Sequence, residues 1–124
     1  VVLMGCGRPG AKEVGKALGE GWIEAKSVLP DIILVDILGR GEAEAVALAK
    51  QLNLLLLIDD SKGFVMAETL GVKVTGTVGI IVKAYRSGLT KDLKQVLDDL
   101  RNKAFWISDK LYREMLRRYA RKSI

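Results

Sequence analysis

The chain has 124 residues, 49% hydrophobic and 28% charged, with 20 Lys and Arg against 15 Asp and Glu for a net charge of +5. This suits one packed domain, residues 1–124, and is too apolar for intrinsic disorder, while its apolar runs break well short of the ~20 residues a membrane span needs. Without histidine, and with Cys6 as the lone thiol, it cannot form a Ser-His-Asp or Cys-His catalytic pair, an imidazole or paired-thiol zinc site, or an internal disulfide.

No charged-then-apolar leader opens the chain, so the expected location is cytoplasmic. The first residues are Val1-Val2-Leu3 and the first methionine is Met4, which reads as a fragment or an unusual start. Gly5 to Gly10 form a glycine-rich loop ahead of a helix over 11–18 that stops at Gly19-Glu20-Gly21. The loop matches G-x-G-x-x-G, with Asp31 about twenty residues on, the form of a dinucleotide fingerprint. Pro9, however, removes an amide from the loop that would cradle the pyrophosphate, and a flexible glycine linker is the simpler reading.

Trp22 to Val28 alternate as a half-buried strand does, and Pro30-Asp31 break it. Ile32 to Leu38 fits strand or helix equally. From Gly41 to Asn53 the period is helical, with Ala43, Val46, Ala47, Leu48 and Leu52 on one face. Leu54 to Ile58 predict a strand buried on both faces that ends at Asp59-Asp60. A helix over 61–70, closed by Gly71, and a strand over 72–75 complete a βαβ unit with a parallel sheet. Helices over 77–86, 91–102 and 108–121 follow, making the second half α-rich.

From Arg101 to Ile124 there are eight basic residues against two acids, whereas residues 1–100 hold 12 basic and 13 acidic residues. The last helix, opened by Ser108-Asp109, has an apolar stripe of Leu111, Met115, Leu116 and Tyr119. Its arginines suit a phosphate backbone, although an ordinary solvated terminal helix commonly looks the same and is the simpler reading.

Ligands of parallel sheets collect at the carboxyl ends of strands, where Asp59 and Asp60 fall. Glu42, in the first turn of the preceding helix, is placed to face the same cleft. Carboxylates of this kind suit Mg²⁺ and metal-assisted phosphodiester cleavage. The competing structural reading gives Glu42 to the helix dipole and Asp59-Asp60 to a helix cap.

The run from Leu38-Gly39-Arg40-Gly41-Glu42 to Ala49, then Leu55 to Asp60, then Leu70-Gly71-Val72-Lys73-Val74-Thr75-Gly76-Thr77-Val78-Gly79, resembles the PIN-domain superfamily, in particular a prokaryotic PIN-like branch encoded as toxins of toxin-antitoxin pairs. Pro9 to Val14, Gly21-Trp22-Ile23 and Phe105 to Asp109 extend the similarity over essentially the whole chain. The resemblance implies a PIN-like three-layer α/β/α sandwich with a small parallel sheet and an α-rich C-terminal half. It further implies a ribonuclease dependent on Mg²⁺ or Mn²⁺, with Glu42, Asp59 and Asp60 as catalytic metal ligands. RNA is then the substrate, an antitoxin protein the partner, and Arg113, Arg117 and Arg121 the candidates to hold RNA backbone. Glu44 lies about 200° around the helix from Glu42 and is expected to miss the cleft.

Two family acids, one in an opening Asp-Thr-Ser strand and one in a helix before the glycine linker, have no counterpart, and Phe64 stands where relatives often carry arginine. The expectation is therefore an N-terminally truncated domain that repairs its core as a homodimer, by dimerising or exchanging segments. Two alternatives remain: a catalytically degenerate PIN-like module that binds nucleic acid or antitoxin, and a nucleotide-binding protein using Gly5 to Gly10.

Overall fold

The computed structural model describes residues 9–103 and 105–120. The segment opens with α1 (Ala11–Glu20), closed by Gly21 in the left-handed region at φ 83°. The strand expected over 22–28 does not form. The amides of Gly21 and Ile23 both turn back to the Ala17 carbonyl, and among the described residues no backbone hydrogen bond joins 24–30 to a neighbouring strand. Alternation without a ladder partner leaves extended, solvated chain, and Trp22 is 72% exposed.

The segment that fits strand or helix equally is a helix, α2 (Ile32–Leu38), because Asp31 caps it: Oδ1 accepts from the Ile33 amide at 2.7 Å. Gly39 alone joins α2 to α3 (Arg40–Leu52), closing one helix and opening the next at φ 84°, ψ 164°, a region open essentially to glycine only. Asn53, at φ 54°, ends α3. The buried face of α3 is Ala43, Val46 and Ala49, whereas Leu52 is exposed.

Strands β1 (Leu56–Leu57) and β2 (Val74–Thr75) pair in parallel, Leu56 opposite Val74 and Leu57 opposite Thr75, with α4 (Ser61–Thr69) as the crossover. Both strands are shorter than their apolar runs because neighbouring amides go elsewhere: Leu54 donates to the Ala49 carbonyl and Val72 to that of Ala67. The expectation that β1 is buried on both faces is also corrected. Leu56 and Ile58 are buried, but Leu55 and Leu57 are 56% and 58% exposed, so one face carries the core. That core unites Leu38, Val46, Ala49, Leu56, Ile58, Ala67 and Val72.

The second half is helical: α5 (Thr77–Arg86), α6 (Leu93–Asn102) and α7 (Asp109–Tyr119), each in contact with the other two. Their core is Val82, Tyr85, Leu93, Leu97 and Ile107, joined on α7 by Tyr112, Met115, Leu116 and Tyr119. Leu111, expected on that stripe, is instead 36% exposed, with Tyr112 taking the inward place. The chain is thus mixed α/β, with a small parallel sheet and an α-rich second half. Among the described residues no helix is long and apolar enough to cross a membrane.

Candidate active site at the carboxyl end of β1

Ile58 is anchored inward by burial and by its amide, which donates to the Thr75 carbonyl at 2.9 Å. The next two residues therefore leave the sheet at its carboxyl edge. Asp59 turns toward α5 and uses both oxygens on Thr77, with Oδ1 accepting the amide at 2.7 Å and Oδ2 the hydroxyl at 2.6 Å. Gly76 makes room for this clamp, since a Cβ there would lie 2.8 Å from Asp59 Oδ1. Asp60 caps α4, its Oδ2 accepting from the Gly63 amide at 2.8 Å. Gly63 is fixed by the same corner, because its Cβ would meet Ile58 Cδ1 at 2.5 Å. The helix-capping role considered for the Asp59-Asp60 pair is thus realised, but Asp59 serves α5, 18 residues away, rather than α4.

Glu42 is half-buried in the first turn of α3, and its Oε2 folds back to 3.4 Å from where a Cβ on Gly39 would stand, at the positive end of its own helix. Glu44 is held by Arg40 at 2.9 Å. Among the described residues no group of three or more acidic or thiol side chains is placed to hold one ion. The structure brings Asp59 and Asp60 together at one strand end without joining Glu42 to them as a three-acid cluster.

Among the described residues no Lys or Arg pairs with Glu42, Asp59 or Asp60, and none donates a hydrogen bond to Oδ1 of Asp60. The donors to the two aspartates are amides and a hydroxyl, which orient a carboxylate without cancelling its charge. Two such carboxylates meet the minimum for Mg²⁺ or Mn²⁺, which retain several waters. Thr77 is a site residue that the sequence reading passes over. A threonine opening a helix directly after a glycine and a strand is the signal that marks it.

Of the arginines expected to hold nucleic acid, Arg113 and Arg117 are exposed on α7, and Arg121 lies outside the described residues. Arg118 reaches Glu114 at 3.9 Å, and Arg101 meets Asp109 at 2.5 Å. The guanidinium of Arg101 also lies 4.6 Å from the centroid of the Tyr112 ring. Tyr112 donates to Asp98 at 2.6 Å, and Lys94 reaches the other oxygen of Asp98 at 2.7 Å. The Lys94 donor, then the tyrosine, hold the Asp98 carboxyl below its ordinary range, and Arg101 does the same for Asp109. The hydrogen bonds to Asp98 in turn raise Lys94 and Tyr112.

For the dinucleotide reading, Gly5 to Arg8 lie outside the described residues. Asp31 caps α2 rather than ending a strand, so it lacks the placement that fingerprint requires.

Comparison with known proteins found no match among curated proteins or solved structures. A family model for the PIN domain matches residues 1–121, nearly the full length, and the chain belongs to the PIN-domain family.

Proposed function

We propose that this PIN domain is a metal-dependent endoribonuclease and the toxin of a toxin-antitoxin pair. The observation that carries the reading is the Asp59-Asp60 pair at the carboxyl end of a parallel strand, oriented by Thr77 and Gly63 and unneutralised by any lysine or arginine among the described residues. In the proposal Asp59 and Asp60 hold the ion, and Glu42 on α3 adds charge from the neighbouring helix. A bound Mg²⁺ or Mn²⁺ supplies charge neutralisation at the phosphodiester and acidifies the attacking water. Thr77 keeps Asp59 in one rotamer, and Arg113, Arg117 and Arg121 hold RNA backbone.

The proposed partners are an antitoxin and a second copy of the chain, with segment exchange as the means of dimerising. Support for a protein partner comes from a cleft of about 580 Å³ beside α2, lined by Leu29, Ile33 and Ile37 among others. Leu29 and Ile33 are 95% and 64% exposed, a large apolar display for a surface without a partner. A strictly monomeric particle by light scattering removes the homodimer.

The engagement of both aspartates as caps, without a third convergent acid among the described residues, favours a second reading: a PIN-like scaffold that binds RNA or antitoxin without turnover. One experiment separates the two. Mn²⁺ is titrated calorimetrically into the wild type and Asp59→Asn, with labelled single-stranded RNA incubated in parallel. Asparagine keeps an oxygen for the Thr77 amide, so the variant removes charge and little geometry. The nuclease reading expects Mn²⁺ binding and cleavage in the wild type and loss of both in Asp59→Asn. Absence of both from the wild type leaves the binding scaffold.

A further inference from the structure

We propose that the groove between α5 and α7 is a phosphate-backbone subsite for single-stranded RNA, with Lys83 and Arg86 as its phosphate-binding cations and Arg118 at its rim. The proposal rests on the ribonuclease reading above but concerns different residues from any named there.

The groove encloses about 560 Å³ and is lined by Gly79, Val82, Lys83, Arg86 and Ser87 of the α5 side and by Met115 and Tyr119 of α7. A second depression of about 430 Å³ shares Arg86 and Tyr119 with it and adds Tyr85 and Arg118. Among the described residues no carboxylate lines either one. Lys83 and Arg86 form no ion pair among the described residues, and Arg118 is held only loosely, 3.9 Å from Glu114. Both α5 cations lie near the helix C-terminus, where the dipole offers about half a negative charge. Two full positive charges exceed what that dipole balances, and the surplus faces an open groove.

The arrangement is also pre-set. The Arg86 guanidinium sits 5.5 Å from the centroid of the Tyr119 ring, which restrains a side chain that is otherwise costly to order. The Ser87 hydroxyl on the same wall adds a neutral donor suited to a phosphate oxygen. A distance scale to the candidate site is supplied by Thr77, the first residue of α5, which Asp59 clamps. At 1.5 Å of rise per residue, Lys83 stands about 9 Å and Arg86 about 14 Å along the helix axis from that clamp. At about 100° per residue Lys83 and Arg86 lie about 240° and about 180° around α5 from Thr77, so a strand whose scissile bond lies at Asp59 crosses over α5 to enter the groove. On α7, Arg113 and Arg117 are each two residues from Met115, roughly 200° around the helix, so they serve the opposite face. The low net charge of residues 1–100 conceals Lys83 and Arg86 from a reading by composition.

The test is fluorescence anisotropy of a labelled single-stranded oligoribonucleotide in EDTA across a KCl series. The proteins are the wild type, Lys83→Gln/Arg86→Gln, Arg113→Gln/Arg117→Gln, the combination of all four, and Arg86→Lys, each checked for fold by circular dichroism. Each backbone charge removed from a single-strand contact lowers the slope of log K against log[KCl] by about 0.7. The groove pair is expected to lose about 1.4 in slope, with or without Arg113 and Arg117, while Arg86→Lys keeps the wild-type slope. An unchanged slope in the groove pair, with wild-type RNA binding intact, overturns the subsite and leaves the ribonuclease reading standing. The subsite is likewise overturned if Arg86→Lys loses about 0.7 in slope, as expected for a removed charge, or if a polyglutamate peptide of matched charge competes equally with RNA. A wild type that binds no RNA at any salt removes both the subsite and the reading beneath it.

Discussion

In the βαβ half, Asp31, Asp59 and Asp60 all accept from backbone amides, and no described lysine or arginine meets them. In the helical half Asp92 caps α6 in the same way, but Asp98 and Asp109 are answered by Lys94, Tyr112 and Arg101. Both patterns satisfy the carboxylate. Only the first leaves its charge available to a cation from solution, because amide dipoles orient a negative group without neutralising it. Asp59 and Asp60, which tie β1 to α5 and α4, thus keep the charge that the proposed metal site would use, while Asp98 and Asp109 are spent on contacts within α6 and between α6 and α7.

The largest expected effect tests whether the helical half depends on apolar packing more than on its charges. Leu97 is fully buried between α6 and its neighbours, and Leu97→Ala is expected to cost about 2–5 kcal/mol by urea unfolding. A cost below that of losing one helix cap would move the weight of that half to its ion pairs.

Next comes the corner beneath the candidate site. Gly63→Ala pushes a methyl against the buried tip of Ile58, which must swing aside, and the cost, offset by about 1 kcal/mol of helix propensity, is expected to be about 1–2 kcal/mol, read by thermal unfolding. Because Gly63 also donates to Asp60, the same variant is expected to weaken Mn²⁺ binding. Unchanged affinity in a folded, destabilised variant would uncouple the cap from the ion.

A smaller effect divides the two duties of Asp60. Asp60→Ala loses the α4 cap and about 1 kcal/mol, whereas Asp60→Asn retains an acceptor for the Gly63 amide and most of that stability. Both are expected to lose Mn²⁺ binding in calorimetry. Should Asp60→Asn bind Mn²⁺ as the wild type does, Asp60 is a cap alone.

These variants also mark what a sequence discloses. Helices α3 to α7 are legible because each pairs a long apolar stripe with a local stop or start signal, such as Asn53, Gly71 and Ser108. The Asp60 cap is legible for the same reason, since its partner lies three residues away. The Asp59 clamp is not, because Thr77 is 18 residues distant and only the pairing of β1 with β2 brings the two together. The strand expected at 22–28 fails for a related cause: alternation specifies a face, and a strand needs a neighbour. Leu54 to Ile58 mislead in the other direction, a continuous apolar run of which the sheet buries one side.

The smallest expected effect concerns pH and belongs to the helical half. The folded-state carboxyls of Asp98 and Asp109 lie below their ordinary range, chiefly through hydrogen bonds from Lys94 and Arg101. The native state therefore binds fewer protons than the unfolded chain as pH falls through the carboxylate range. Their stabilisation is present above the ordinary carboxyl pKa of about 4 and is lost as pH drops toward the lowered folded values. On the alkaline side Lys94 and Tyr112 are raised, so their contribution holds below about pH 10 and fades as pH climbs through the folded values. Asp98→Asn removes the centre of both effects, and its melting temperature is expected to fall less steeply than that of the wild type below about pH 5 and again above about pH 10. Because these pairs are solvent-exposed, about 1 M NaCl is expected to shrink the difference. Parallel melting curves for Asp98→Asn and the wild type at every pH would mean that the Tyr112–Asp98 bond adds nothing to the hold of α7 on α6, leaving that attachment to Arg101 with its partners Asp109 and Tyr112 and to the apolar core around Leu97.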